Sequence, residues 1–123
     1  MSVFAARSRL RSLRHALRGA ATLVRTQPNA QWHSLATAVV TGAGVFFGIA
    51  KTDWALVILA IALVWITESL NTALEFLADE VSKDRRELIK QAKDVAAFSV
   101  LVAALASVAI GIVVFAPYFS RWP

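Results

Sequence analysis

Two long stretches of this chain contain no charged residue, and this feature limits its fold more than any other. One runs from Ser34 to Ala50 and the other from Val95 to Phe119. A helix needs about 20 mainly apolar residues to cross the ~30 Å hydrocarbon core of a bilayer. Trp54–Leu74 is a further candidate span that leads into a charged segment. Hydrophobic residues make up 58% of the 123 residues, which exceeds the usual share in soluble domains. The sequence therefore predicts an all-α integral membrane protein with three transmembrane helices.

The segment before the first span has the pattern of an amphipathic helix over residues 4–26. Its apolar and basic side chains fall on separate stripes of a helical wheel. The apolar stripe is Leu10, Leu13, Leu17 and Val24, and the basic stripe is Arg7, Arg11, Arg14, Arg18 and Arg25. This pattern is typical of a helix in the lipid headgroup layer, and a soluble basic helix or a frayed tail is the alternative. Pro28 is expected to end the helix because proline has no N–H to donate.

The basic residues predict how the chain crosses the membrane. Six arginines precede the first span and five lysines or arginines fall in 80–93, whereas the connection at Lys51 and the C-terminal tail carry one each. The positive-inside rule then places the N-terminus and segment 80–93 in the cytoplasm. The net charge of +5 is assigned to topology and lipid contact, and no nucleic-acid partner is expected. The first 30 residues contain no apolar region typical of a cleavable signal peptide, and the absence of cysteine excludes disulfides.

These patterns predict one domain with the following organisation: residues 1–123 overall, a surface helix at about 4–26, and spans at about 31–50, 54–79 and 84–119. Small residues at four-residue spacing are expected to allow close helix packing. They form two sets: Gly44 with Gly48, and Ser99, Ala103, Ser107 and Gly111. Asp53 is expected to cap the second span, and Pro117 is expected to mark the end of the third.

A polar stripe lies at the end of the second span. At 100° per residue its members fall within about 80° of each other on a helix. They are Glu68, Asn71, Glu75 and Asp79. Because Glu68 follows an apolar run, its carboxylate is expected inside the hydrocarbon edge, where ionisable groups are costly and usually functional. Lys93 and Asp94 begin the third span at the same membrane surface and join this zone.

The residue types in this zone allow three kinds of function. Carboxylates can bind Mg²⁺, lysine and arginine can hold phosphate, and a carboxylate just inside the bilayer can take a proton from a lipid hydroxyl. This combination would support phosphoryl transfer, which needs mainly positioning and charge neutralisation. The same side chains could instead pair across helices and fix a bundle, or line a proton or cation pathway. The sequence has no Gly-rich phosphate loop, so a nucleotide site would be built otherwise.

Two motifs resemble the signature of the prokaryotic diacylglycerol kinase and undecaprenol kinase family. They are Glu68-Ser69-Leu70-Asn71-Thr72-Ala73-Leu74-Glu75 with Asp79, and Ala92-Lys93-Asp94-Val95-Ala96-Ala97. The family pattern is E-x-x-N-[ST]-A-[IL]-E-x-x-x-D followed by A-K-D, and the resemblance covers nearly the whole chain. The segment 46–54 is similar to the undecaprenol kinase branch in particular. The resemblance implies a homotrimer in the bacterial inner (plasma) membrane that phosphorylates a lipid hydroxyl with ATP and Mg²⁺, in active sites shared between protomers. Undecaprenol is favoured over diacylglycerol.

The resemblance also implies roles for individual residues. Glu68 would be the general base for the lipid hydroxyl, and Asn71 would position the reacting groups. Glu75 would bind the Mg²⁺ that accompanies ATP. The residues implied at the nucleotide are His15, Glu75, Asp84, Arg85, Arg86, Lys93 and Asp94. Lys93 is expected to contact a phosphate, and Asp79 is expected to support the site.

Two positions depart from the family pattern. A metal-binding glutamate usually precedes the first span, where this chain has Gln27, whose amide offers a neutral carbonyl oxygen but no charge. The family's nearby arginine is likewise Gln31. Phe98 and Ser99 replace a usual pair of small residues, so Phe98 is expected near the lipid groove and could alter substrate fit. A non-catalytic membrane scaffold of the same fold is therefore the alternative to a lipid kinase.

Three aromatic side chains have more than one interpretation. His15 lies either near the nucleotide or at the solvated membrane surface. His33 is expected at the headgroup boundary rather than on a metal. Trp65, one turn before Glu68, is expected to face lipid, and a place in the lipid-binding groove is its alternative.

Overall fold

The structure is a computed structural model that describes the backbone of residues 3–122 and the side chains of residues 8–122. Arg7, which was assigned to the basic stripe, has its side chain outside the described part. The described chain is 90% helical and has no strands, which confirms the all-α prediction. It consists of four helices: α1 (Val3–Thr26), α2 (Pro28–Phe47), α3 (Lys51–Val81) and α4 (Glu87–Phe119).

Helix α1 has the two-sided character that its sequence predicts. Leu10, Leu13 and Leu17 are exposed, whereas Leu23 near its end is buried. An exposed leucine stripe beside arginines suits a helix that lies against lipid headgroups. The chain leaves the helix at Gln27, which has an extended backbone, and Pro28 is the first residue of α2. Proline is tolerated there because the N–H it lacks would have no partner inside the helix.

The turn between α2 and α3 depends on the two glycines in different ways. Gly44 is buried, and a Cβ built on it would lie 2.7 Å from the ring of Trp54, so its lack of a side chain allows close approach. Gly48 ends α2 instead of packing, because it adopts a left-handed conformation with φ 61° and its N–H bonds to the carbonyl of Val45. The prediction that Gly44 and Gly48 form one packing pair is therefore wrong for Gly48.

Asp53 does not cap α3, contrary to the sequence-based prediction. The residue at the cap position is Ala50, and no side chain bonds to the helix end there. Asp53 lies in the first turn and accepts a hydrogen bond from the hydroxyl of Tyr118 at 3.1 Å. This bond joins the start of α3 to the end of α4, so Asp53 serves tertiary packing rather than helix initiation.

Helices α3 and α4 form the main contact of the fold, and small residues lie where they meet. Ala60 and Ala103 are buried, and the hydroxyl of Ser107 donates to the carbonyl of Ala60 at 3.1 Å. The predicted small-residue stripe is thus a packing surface at Ala103 and Ser107, whereas Ser99 is exposed. Toward the other end, Val57 and Val114 form an apolar core with Ile49.

Two helices of the described chain, α3 and α4, are long and apolar enough to cross a membrane. Only 22% and 11% of their most apolar segments are buried within the single chain, so most of their apolar surface is left for lipid or for other chains. Together with the open leucine stripe of α1, this places the protein at a membrane. Helix α2 begins with polar residues at Asn29, Gln31 and His33, and its role as a third span stays a prediction.

The connection between α3 and α4 is a short charged turn. It covers residues 82–86, where the backbone N–H of Asp84 donates to the Ser82 hydroxyl at 3.2 Å. Helix α4 begins at Glu87 rather than near Asp84, since Ser82 and Asp84 form a local turn that competes with helix. The turn therefore holds Asp84, Arg85 and Arg86 outside both helices.

A glycine-to-alanine pair tests the role of Gly48 in ending α2. Gly48→Ala is expected to lower stability by about 1–2 kcal/mol, because alanine is strained in the left-handed region. Gly42→Ala is the matched control, since Gly42 is helical with open space around it, and it should be neutral or stabilising by up to about 1 kcal/mol. Unfolding in detergent micelles followed by circular dichroism measures both. Equal stability of the two variants would contradict the assignment.

Candidate functional site

Glu68 is the most deeply buried polar side chain of α3. It is 2% exposed, and its Oε2 atom has no hydrogen-bond partner in the described chain. The basic side chain next to it is His33 of α2, whose Nε2 lies 3.6 Å from that oxygen. This separation is within ion-pair distance but longer than a hydrogen bond. A buried carboxylate without a full set of partners is costly, so its presence indicates a function beyond packing.

The next members of the stripe lie one and two turns further along α3. The side-chain amide nitrogen of Asn71 donates to Oε1 of Glu75 at 3.2 Å, while Oδ1 of Asn71 is buried without a partner. Glu75 itself is half-buried. The hydroxyl of Thr72 is also buried and unpaired. The stripe therefore presents oxygen atoms that could still accept a hydrogen bond or bind a cation.

At its outer end the stripe is joined to α4 by an ion pair. Nζ of Lys93 lies 2.6 Å from Oδ1 of Asp79. Lys93 precedes the uncharged run of α4, and its hydrogen bond to Asp79 raises the pKa of its ammonium group, so Lys93 stays cationic throughout the neutral range. A second pair, Lys90 with Asp94 at 3.6 Å, lies along α4. Lys93 thus contacts the acidic stripe at Asp79, whereas Asp94 pairs with Lys90 of its own helix.

A polar cavity of about 300 Å³ lies between these pairs and the charged turn. Five of the seven residues predicted at the nucleotide line it, namely Asp84, Arg85, Arg86, Lys93 and Asp94, whereas His15 and Glu75 do not. The other lining residues are Asp79, Ser82, Lys83, Ile89 and Lys90. Five basic side chains and three carboxylates share this concave surface, so its net charge is positive and it suits an anion. A phosphate chain is such an anion.

A second, apolar cavity of about 280 Å³ lies between α2, α3 and α4. His33 and Thr37 line its polar end, and Ile110 and Gly111 line the far end. The first cavity is therefore lined mainly by charged side chains and the second mainly by apolar ones. Glu68, in contact with His33, lies at the polar end of the apolar one.

Trp65 is not lipid-facing, contrary to the favoured prediction. It is half-buried between α2 and α3, and its Nε1 donates to the hydroxyl of Thr37 at 3.1 Å. Its ring also meets the ring of His33 edge-on, with centroids 6.5 Å apart. Trp65 therefore lies beside His33, one turn before Glu68. It does not line the apolar cavity, and its place in a lipid-binding groove stays a prediction. Because the indole is half-buried, its polar N–H needs a hydrogen-bond partner, which the Thr37 hydroxyl supplies.

Three other predicted site residues lie outside this group. His15 is exposed on α1, so its place near a nucleotide stays a prediction. Gln27 is half-buried at the start of α2, and its amide nitrogen donates to the Thr26 hydroxyl at 3.2 Å. Phe98 is 63% exposed on α4, where it would meet lipid or another protein chain.

His33 is the site residue that the sequence analysis missed. It was assigned to the headgroup boundary rather than to a metal site. Its contact with Glu68 joins two helices across 35 positions of sequence, and no periodic pattern relates them. The sequence could indicate that His33 belongs to the site only after the packing of α2 against α3 is known, because His33 and Glu68 lie on different helices.

The donor set fits Mg²⁺ in a limited way. The described residues contain no group of three or more histidine or acidic side chains arranged to hold a metal. Mg²⁺ usually takes one or two protein carboxylates and completes its shell with substrate phosphates and water. Glu75 supplies one carboxylate, and the unpartnered Oδ1 of Asn71 is a further oxygen beside it. Such a set suits Mg²⁺ delivered together with phosphates.

The fold and the site define a class, that of small helical membrane proteins with a buried acid and a basic cavity on the same helix. Residues 14–115 match the model of the prokaryotic diacylglycerol kinase family. The chain is 36% identical over 107 residues to undecaprenol kinase of Bacillus subtilis, covering 87% of both proteins. It is 39% identical over 101 residues to diacylglycerol kinase of Synechocystis sp., covering 81% of this chain and 58% of that protein. The chain therefore belongs to the prokaryotic diacylglycerol kinase family, and it is a lipid kinase.

A tryptophan pair tests the contact that supports the site. Trp65→Phe is expected to destabilise the protein by about 1 kcal/mol, because it removes the hydrogen bond to Thr37. Trp32→Phe is the matched control, since Trp32 is 70% exposed, and it should stay within about 0.5 kcal/mol of the parent. Thermal unfolding in detergent gives both values. A larger loss of stability for Trp32→Phe than for Trp65→Phe would contradict the described packing of α2 against α3.

Proposed function

We propose that this chain transfers the γ-phosphate of ATP to the hydroxyl of a membrane lipid alcohol at the cytoplasmic interface of a bacterial inner membrane. Undecaprenol is favoured over diacylglycerol, because the B. subtilis undecaprenol kinase matches over 87% of both chains and segment 46–54 resembles that branch. The observation that carries the proposal is the position of Glu68. Its buried carboxylate contacts His33, which lines the apolar cavity, and along α3 Glu68 lies between Val64 of that cavity and Asp79 of the basic one.

Each cavity would hold one substrate. The lipid chain would lie in the apolar cavity with its hydroxyl at the His33 end, next to Glu68. The triphosphate would lie in the basic cavity, where Lys93 and the turn residues Arg85 and Arg86 offset its charge. Asp84 and Asp94 are also assigned to the nucleotide, because they line the basic cavity. His15 is assigned to the nucleotide only because the family resemblance implies it. Phe98 is proposed to border the lipid.

The transfer itself would need little covalent chemistry from the protein. Glu68 takes the proton as the lipid O–H bond breaks, and the lipid oxygen bonds to the γ-phosphorus. The bond from that phosphorus to the β–γ bridging oxygen breaks, and ADP leaves. Asn71, held by Glu75, orients the reacting groups between the two carboxylates. Such a reaction is accelerated mainly by positioning and charge stabilisation.

Glu75 and the carbonyl oxygen of Asn71 would hold Mg²⁺, which when bound with ATP neutralises phosphate charge. Gln27 is the doubtful further ligand, since a neutral amide oxygen binds Mg²⁺ more weakly than a carboxylate. We propose that the protein is a multi-pass homotrimer with its N-terminus in the cytoplasm. The large apolar surface of α3 and α4 that one chain leaves uncovered supports assembly. The alternative is a non-catalytic scaffold, and the orphaned Glu68 carboxylate argues against it, since packing alone gives no reason for it.

Phosphate transfer from labelled ATP in detergent micelles tests the function directly. Undecaprenol and diacylglycerol are offered separately at saturating Mg²⁺. We expect label on undecaprenol. Label on diacylglycerol alone would support the assignment as a lipid kinase but contradict undecaprenol as its substrate. If a folded oligomer labels neither lipid, the non-catalytic scaffold would be favoured.

Substitution of the two glutamates separates their roles. Glu68→Gln is expected to lower kcat by about 10²–10⁴, the usual contribution of a general base, with ATP affinity nearly unchanged. Glu75→Gln is expected to lose transfer and Mg²⁺-dependent ATP binding together. Transfer assays and equilibrium binding of a fluorescent ATP analogue measure these quantities. Normal turnover of Glu68→Gln would contradict its assignment as base.

The effect of Gln27 is tested by restoring the family's carboxylate. Gln27→Glu is expected to lower the Mg²⁺ concentration needed for half-maximal transfer several-fold, because an anionic oxygen binds the cation more strongly. Gln31→Glu is the matched control, since Gln31 bonds to the Val24 carbonyl and has no metal role in the proposal. An equal shift in both variants would indicate a general charge effect.

A further inference from the structure

The proposed reaction leaves Glu68 with a proton that it must lose before the next turnover. Glu68 is 2% exposed and so has almost no direct contact with solvent. Among the described residues, the basic side chain within 4 Å of its carboxylate is His33, 3.6 Å away and 22% exposed. His33 therefore joins the buried acid to the outside of the helix pair.

We propose that His33 is the positioning residue of Glu68 and accepts its proton after each transfer. The inference rests on the proposed function of Glu68. The proton that leaves the lipid hydroxyl passes from Oε2 of Glu68 to the lone pair of Nε2 in neutral His33. The imidazolium then releases its Nδ1 proton to water. This leaves His33 as the Nε2–H tautomer. Proton exchange with water, in which Nδ1 gains a proton and Nε2 loses one, restores the Nε2 lone pair before the next turnover, so the cycle needs no reactant besides water.

The structure supports this role through Trp65, which packs against the ring of His33 and is bonded to α2. The hydroxyl of Thr37 accepts from the indole of Trp65 at 3.1 Å and donates to the backbone carbonyl of His33 within α2 at 2.7 Å. That indole packs edge-on against the His33 ring. The three side chains form a frame from α2 to α3, and the unpartnered Oε2 of Glu68 lies at the edge of the ring.

The 3.6 Å separation is compatible with proton transfer. It exceeds a hydrogen bond, but catalytic contacts are often long without substrate and shorten in the reacting complex. The groups of α4 that line the same cavity, including Ala104 and Ser107, are uncharged. No charged group of the lining competes with Glu68 for the histidine.

The test uses His33→Gln and His33→Ala in the full-length protein with saturating lipid and MgATP. We expect kcat to fall about 10-fold or more in both, with the KM values for lipid and ATP within about twofold of the parent. Added imidazole should restore kcat in His33→Ala, where the deleted ring leaves space for it, and should not affect the parent. Trp32→Phe, on the adjacent exposed residue, is the control and should keep the parental kcat.

Three results would overturn the role. One is a kcat within twofold of the parent in both variants. Another is a loss of kcat that imidazole does not restore although His33→Ala is folded by circular dichroism. The third is a rise in KM without a fall in kcat, which would indicate a lipid-binding role instead. If only one variant folds, its kcat and KM values still distinguish a catalytic role of His33 from no role and from a lipid-binding role. A parent protein that transfers no phosphate would instead reject the proposed function itself.

Discussion

The burial of Glu68 is the constraint on which the rest of the site depends. A carboxylate that is 2% exposed in an apolar helix is stable only if its surroundings supply polar contacts. In the described chain the polar contact comes from α2, where His33 lies 3.6 Å from Oε2 of Glu68, and no hydrogen bond reaches that oxygen. The pairing of α2 with α3 therefore matters more for chemistry than for stability, and the hydrogen bond of Trp65 to Thr37 keeps that pairing in register.

The same helices separate two environments that a lipid kinase needs. At the outer end, the ion pair of Asp79 with Lys93 and the charged turn form a basic cavity of about 300 Å³. Deeper in, the space between α2, α3 and α4 is apolar, with His33 at its polar end. Glu68 lies on α3 between the part that lines the apolar cavity and the part that lines the basic one, because α3 continues without a break from an apolar span into a charged segment. One uninterrupted helix thus carries both an apolar part and a charged part.

Much of this arrangement was predictable from local patterns, but the contacts across helices were not. The stripe from Glu68 to Asp79 and the nearness of Lys93 followed from helical periodicity and from a short turn between two helices. Gly48 was misassigned because spacing does not show which glycine has a positive φ. Asp53 and Trp65 were misassigned because their partners, Tyr118 and Thr37, lie 65 and 28 positions away in sequence.

The sequence by itself determined the helical fold, the membrane location, the acidic stripe and the family, because each depends on composition, on periodicity or on a contiguous motif. Only the tertiary structure decided that His33 meets Glu68, that Trp65 turns inward, and that the turn residues share a cavity with Lys93 and Asp94. Those contacts arise from how the helices pack. Packing is set by the shapes and hydrogen bonds of side chains far apart in the chain, and a single sequence carries no periodic signal of them.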